Sequence, residues 1–356
     1  MSNGFPSTAL TDPNTPQLYS IDPHLVTPYT EQWHMGLEYQ LPAETVLEVS
    51  YAGSRGLHLY GFYNGNQAVP TSDPTIPFAD RRPVPSIDTS IATLRSNIVS
   101  NYNSLQFSLE KRATHDLQFQ ASYTYSHALD DASSASLGSG NNGDFRDQRF
   151  PMMEYGNADF DVRHRFVMSY AYLLPFGKGK AFGGNASGVL DQIIGNWQLA
   201  GIVSAATGNW FTATDSITDL SNADCGGTVG FYCVRPNVVG NPNGKPCVPG
   251  TLFNTCAFQS NTVEGAFGNA GRNIIRGPGL QEWDISIFKN FPVREQMHFE
   301  FRAEFFNAFN HVNPLFGIPG QISQEPTTLE LGTSQFGFAA GARAPREIQL
   351  AMKFYF

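Results

Sequence analysis

Three stretches of the chain place reactive or ligand-binding residue types close together. "HALDDASSAS" sets His127, Asp130 and Asp131 beside a run of serines, the residue types of an acyl-transfer enzyme. Proximity along a chain does not make a triad, because nucleophile, base and orienting acid are recognised by geometry; the alternative is a polar loop base. "GNAGRNIIRGPG" spaces Gly268, Gly271, Gly277 and Gly279 in the manner of a phosphate cradle, yet it precedes a strand pattern and does not join a strand to a helix, as such a cradle requires. Four cysteines, Cys225, Cys233, Cys247 and Cys256, fall in one segment rich in Gly, Pro and Asn. Their spacings do not match the short paired steps of structural zinc, and no His lies nearby in sequence. An even count in such a segment points to disulfides in an oxidising compartment. Three pairings are open, closure of the two small loops Cys225–Cys233 and Cys247–Cys256 being preferred; four free thiols in a reduced loop are the alternative. Metalloprotease, Walker, nucleophile-elbow and calcium-loop patterns do not occur. The sequence therefore implies no catalytic residue, no metal site and no cofactor.

The chemistry-bearing residues sit between elements of one kind. Of 356 residues, 41% are hydrophobic, 13% aromatic and 15% charged, with 34 Gly and 23 Pro, a mix that suits strands and turns better than helices. The net charge of −9 and the lack of a Lys/Arg cluster argue against a nucleic-acid partner. No apolar run is long enough for a transmembrane helix, and the N-terminus does not read as a signal peptide.

Nine segments alternate apolar and polar residues with period two. In "MHFEFRAEFFNAF", Phe299, Phe301, Ala303 and Phe305 share one face, and His298, Glu300, Arg302 and Glu304 the other. "LQFQASYTYSH" separates Leu117, Phe119, Ala121, Tyr123 and Tyr125 from Gln118, Gln120, Ser122, Thr124 and Ser126. The remaining segments are Tyr29–Gln40, Thr45–Ser54, Asn101–Arg112, Val162–Leu174, Asn196–Thr207, Glu282–Asn290 and the terminal "EIQLAMKFYF". Most exceed the ~5–6 residues of an average strand and approach the ~9–11 that a tilted strand needs to cross a bilayer.

Connections alternate in length. Short or medium turns at Leu41–Glu44, Ala113–Asp116, Pro175–Gly195 and Phe291–Gln296 fall on one rim; long loops at about 55–100, 128–161, 208–281 and 310–345 fall on the other. Transmembrane β-barrels show this asymmetry, with brief periplasmic turns and extended extracellular loops. Residues 1–28 read as an irregular loop tail before a partial barrel over 29–356. Because backbone groups in hydrocarbon must all be paired, apolar faces would meet lipid and polar faces a wet lumen. Arg163, Arg165, Glu300, Arg302 and Glu304 are then lumen-facing charges. Within the Pro175–Gly195 turn, Val189, Leu190, Ile193 and Ile194 suit a short amphipathic helix.

The stretches "TPYTEQWHMGLEYQLPAETVLEVSYAGSRG", "NADFDVRHRFVMSYAYLLPFGKGK", "GNWQLAGIVSAATGNWF", "GNAGRNIIRGPGLQEWDISIFKNF" and "FEFRAEFFNAFNHVNP" resemble, in order, the Oar-like β-barrel region of TonB-dependent outer-membrane transporters. That resemblance implies an all-β antiparallel meander forming part of a 22-stranded barrel, a bacterial outer-membrane location, and a plug and TonB-contacting segment that the chain lacks. About thirteen strands would be absent as well, judged against ~22-stranded plugged transporters, so the chain is expected to be a piece of something longer. Outer-membrane lipid and the barrel-assembly machinery are the expected partners, the latter through Phe354, Tyr355 and Phe356. The TonB complex would be reached only through the missing N-terminal region. The implied function is uptake or surface binding of a substrate that the sequence does not identify. A secreted β-sandwich that binds glycans is the alternative, but it needs polar outer faces. A small outer-membrane barrel enzyme needs an even strand count and a triad at its rim.

Overall fold

The computed structural model describes residues 18–114, 116–133, 145–217, 219–223, 234–294, 297–316 and 327–356. Nine long strands carry the fold: β1 (Tyr29–Leu41), β2 (Thr45–Asn64), β3 (Ile91–Thr114), β4 (Leu117–Asp130), β5 (His164–Leu173), β6 (Trp197–Ala206), β7 (Leu280–Arg294), β8 (Met297–Phe306) and β9 (Glu347–Tyr355). They form a single sheet in chain order from β1 to β9, each strand antiparallel to its neighbours.

Register decides what each face is made of, because residues directly opposite in a ladder point the same way. One row runs Phe119, Tyr170, Gly201, Ile285, Phe305, Ile348 across β4 to β9. Another runs Glu38, Glu48, Ser108, Ser122, Val167, Ser204, Glu282 across β1 to β7 on the opposite side. One face is therefore predominantly apolar and the other predominantly polar, with exceptions such as Val167 on the polar side and Lys289 on the apolar side. Among the described residues nothing covers the apolar face: Met35, Leu37 and Tyr39 on β1 and Leu350 and Met352 on β9 are exposed. A soluble sandwich would bury this face under a second sheet. This sheet presents it outward, as a wall in an apolar solvent must.

Local geometry supports the pairing. Between β1 and β2 the chain turns through Ala43 (φ 59°) and Glu44 (φ 53°), a left-handed pair costly for residues with a Cβ; the Lys111 ammonium donates to the Ala43 carbonyl at 2.8 Å and holds the turn. On the apolar face the indole of Trp33 lies over Gly53 and the phenol of Tyr170 over Gly201, each so close that a Cβ on the glycine would collide with the ring. Glycine lets the aromatic ring seal the strand opposite.

The structure lengthens two strands relative to the sequence pattern, which ended one at Ser54 and began the next at Asn101. β2 and β3 run to 20 and 24 residues and rise together above the rest of the sheet. Register shifts between Gly56 and Leu59 and between Leu59 and Gly61 break the alternation there, which is why periodicity ends early. At the N-terminal end, Leu18–Ile21 is a short strand parallel to Ile91–Leu94, a correction to an irregular 1–28.

Candidate functional site at the loop rim

The described parts of the long connections, now 65–90, 131–163, 207–279 and 307–346, gather on one rim and pack on one another. Their centre is ordinary protein core: Phe253, Phe258, Phe316 and Phe336 meet edge to face at centroid distances of 5.2–5.9 Å, with Ala213, Ala257, Ile275 and Leu329 buried around them. Short ladders tie the segments, Trp210–Phe211 with Ile275–Arg276, Asn237–Val238 with Phe258–Gln259, and Thr214–Asp215 with Glu330–Leu331. Cys247 and Cys256 are joined by a disulfide within this assembly. Cys225 and Cys233 lie outside the described residues.

A buried ionic network crosses the same loops. Glu154 accepts from Arg146 at 2.7 Å and from Arg235 at 2.8 Å, all three side chains buried. Arg272 donates to the carboxylate of Asp130, to its carbonyl at 2.6 Å and to Asp159 at 3.3 Å. Arg146 and Glu154 share the 131–163 connection, whereas Arg235 and Arg272 reach in from 207–279, so the Arg235–Glu154, Arg272–Asp159 and Arg272–Asp130 pairs fix that connection against 131–163 and the end of β4. Beside them Asp131 is buried, one carboxylate oxygen accepting the Val99 amide at 2.9 Å and the other without a partner among the described residues. Burial lifts its carboxyl from 3.8 to about 6, against the opposing pull of the Val99 amide.

Below the loops, the polar face of the sheet holds a recess of about 300 Å³ lined by Tyr102, Gln106, Thr124, Ser126, Phe160 and Arg165. A second recess of about 250 Å³ shares Val162 and Arg165 with it and extends to Pro314 and Arg343. Arg165 and Arg343 carry no ion pair among the described residues. Arg163, by contrast, is 3.6 Å from Asp161, whose carboxylate also takes the Ala128 amide and the Trp210 indole N–H. A guanidinium where two recesses meet, next to hydroxyls and an aromatic ring, presents a planar fork of donors to a carboxylate or phosphate. The arrangement can bind; it contains no nucleophile paired with a base.

The other sequence candidates divide clearly. Glu300, Arg302 and Glu304 do share the polar face, but they satisfy one another: Arg302 donates to Glu300 at 2.8 Å, lies 4.0 Å from Glu304 and sits 4.8 Å over the Phe288 ring. In "HALDDASSAS", His127 pairs with Asn157 at 3.0 Å and Asp130 is taken by Arg272 and Ser133, so the acid and the imidazole serve separate contacts. The glycine stretch runs down into β7 through Ile275–Arg276, and its contribution is Arg272. Phe354 packs on Phe299 at 4.6 Å, Tyr355 stacks on His298 at 4.5 Å, and Phe356 lies 6.1 Å from Phe354. Sequence reasoning missed Arg146, Glu154, Arg235 and Arg272, whose only signal is a few charges isolated in Gly- and Asn-rich loops.

A family model described as an outer membrane beta barrel domain matches residues 1–349. Among solved structures, the outer membrane transporter YddB from Escherichia coli aligns at 10% identity and a TM-score of 0.46, covering 94% of this chain and 33% of its own. The ferric preacinetobactin receptor BauA from Acinetobacter baumannii aligns at 12% identity and TM-score 0.42, covering 92% and 29%. The FrpB iron transporter from Neisseria meningitidis (F3-3 variant) aligns at 11% identity and TM-score 0.40, covering 96% and 33%. The chain thus spans about a third of the length of these proteins. No curated protein sequence matches it.

Proposed function

The chain belongs to the outer membrane β-barrel domain family, and on that premise we propose that it is barrel wall and extracellular loops of a TonB-dependent transporter or receptor, taking up or binding a solute at the cell surface. It resides in the bacterial outer membrane. Its apolar face meets lipid, its polar face the lumen, its long loops the exterior and its short turns the periplasm. The observation that carries the reading is the recess at Arg165, which sits on the lumen wall directly beneath a folded loop assembly. A solute held by the loops would next meet that guanidinium. The sequence resemblance to the Oar-like region of TonB-dependent transporters supports the same reading. The work done is binding and passage, without bond chemistry.

The partners follow from this placement. Lipid contacts the apolar rows. The barrel-assembly machinery reads the last strand with Phe354, Tyr355 and Phe356. The TonB complex is the energy-coupling partner of such a transporter. Native outer membranes dissolved in mild detergent and passed over an immobilised TonB periplasmic domain test the assignment. The polypeptide carrying this sequence is expected to be retained; elution in the flow-through together with a porin would contradict it.

A further inference from the structure

The connection between β5 and β6 is the longest on the periplasmic rim, and its side chains are turned the wrong way for water. Its helix, Val189–Ile194, exposes Val189 by 76%, Leu190 by 56% and Ile193 by 60%, and the preceding segment exposes Phe182 by 60%. Phe182 lies 5.6 Å from Phe176, itself exposed. The polar groups are meanwhile consumed internally: Asp191 accepts the Lys178 amide at 2.6 Å, and the Gly195 amide closes the helix onto the Asp191 carbonyl at 2.9 Å. A turn bathed in water would be stabilised by the reverse arrangement, since hiding large apolar side chains from water is favourable.

The position of the helix explains the inversion. It is tied to the lipid-facing wall: the Trp197 indole donates to the Ile193 carbonyl at 2.9 Å, and Gln192 reaches the Pro292 carbonyl at 3.4 Å. Trp197 shares its face of the strand with Leu199 and Gly201, which oppose Ile287 and Ile285, and so lies in the apolar rows opposite Lys289. Lys289 itself is buried, donates to the Gly195 carbonyl, and sits 5.2 Å from both the Trp197 and Phe291 rings. The exposed apolar side chains of the turn thus continue the lipid-contacting face past its lower edge. Lys178 is exposed beside them, with no side-chain partner among the described residues.

We propose that residues 175–195 form an interfacial anchor that docks on phospholipid of the periplasmic leaflet, with Val189, Leu190, Ile193 and Phe182 entering the headgroup–acyl boundary and Lys178 facing lipid phosphate. The occupant is lipid because the patch is continuous with the lipid-facing wall. A periplasmic protein partner would require a surface separate from it. The inference rests on the membrane placement of the barrel and is independent of what the protein transports.

The test uses the native outer-membrane polypeptide carrying Leu190→Cys and a fluorophore, in vesicles of phosphatidylethanolamine and phosphatidylglycerol with acyl-brominated lipid. Insertion is verified first by quenching of the same label at Met352→Cys on the lipid-facing side of β9. The label at 190 is expected to lose roughly half its emission to brominated lipid and to resist aqueous iodide, as a group seated ~5–10 Å into the boundary region would. Iodide quenching without lipid quenching would place the turn in water and overturn the proposal. Quenching by neither would show that protein covers the patch, and would overturn it equally.

Discussion

The nine-stranded sheet and the loop assembly above it use the same residue types in opposite directions. In the sheet, Leu37, Phe107, Met352 and their row partners point outward while Glu48, Ser122 and Gln349 point in. In the loops, Phe253, Phe258, Phe316 and Phe336 are buried against one another and against Ala213, Ile275 and Leu329. The difference is the solvent. A wall between lipid and a wet lumen inverts the usual arrangement, whereas a cap standing in water needs its own core and needs every buried charge to be paired. The two regions should accordingly fail for different reasons.

The sharpest break comes from Glu154→Ala. It leaves Arg146 and Arg235 buried without their shared carboxylate, a loss of about 3–5 kcal/mol. Loop proteolysis should increase steeply while the sheet stays intact; equal loss of both would deny that the loops are a separate unit. Next is a pair on one strand. Leu350→Arg puts a charge in lipid and should cost about 2–4 kcal/mol if it lies near the bilayer midplane, whereas Gln349→Arg on the lumen side should be nearly neutral. Folding titrations in lipid compare them, and equal costs would erase the distinction between faces.

Smaller effects probe the loops alone. Replacing Cys247 and Cys256 by serine opens a loop with a sequence separation of 9, and chain-entropy arguments put the loss at about 2–3 kcal/mol. Protease sensitivity should rise around that loop without a change in the sheet. Asp131 gives the smallest effect and a pH sign. Its carboxyl titrates near 3.8 when unfolded and about 6 when folded, so the folded loops hold the proton more tightly. Stability therefore rises as pH falls from 7 through 6 toward 4. The gain at pH 5 over pH 7 is about 1 kcal/mol, and Asp131→Asn should remove that dependence. Hydrogen exchange of the Val99 amide across pH 5–7 reads it.

Legibility in the sequence followed the same division. All nine strands were readable because lipid on one side and water on the other enforce strict alternation, as in Phe299 through Phe305 against His298 through Glu304. The reading failed where that constraint stops. Between Arg55 and Asn64 the strand continues, but bulges and packing against the loops replace alternation; Tyr63 is buried there by stacking on Phe145 at 4.6 Å. The loop core could not be read at all, since Phe253, Phe316 and Phe336 meet from distant segments without period. Arg165 was visible as a lumen charge by parity, but its place between two recesses depends on Phe160, Val162 and Arg343, which no spacing links.

The central claim is that one face of the sheet contacts lipid and the other water, and a nitroxide scan along β9 tests it most directly. Single labels at 347 through 354 in bilayers report collisions with oxygen, which partitions into lipid, and with a nickel chelate, which stays in water. Oxygen collisions should peak at positions 348, 350, 352 and 354 and nickel collisions at 347, 349, 351 and 353, following the register with β8. Uniform accessibility, or the two patterns exchanged, would contradict the account.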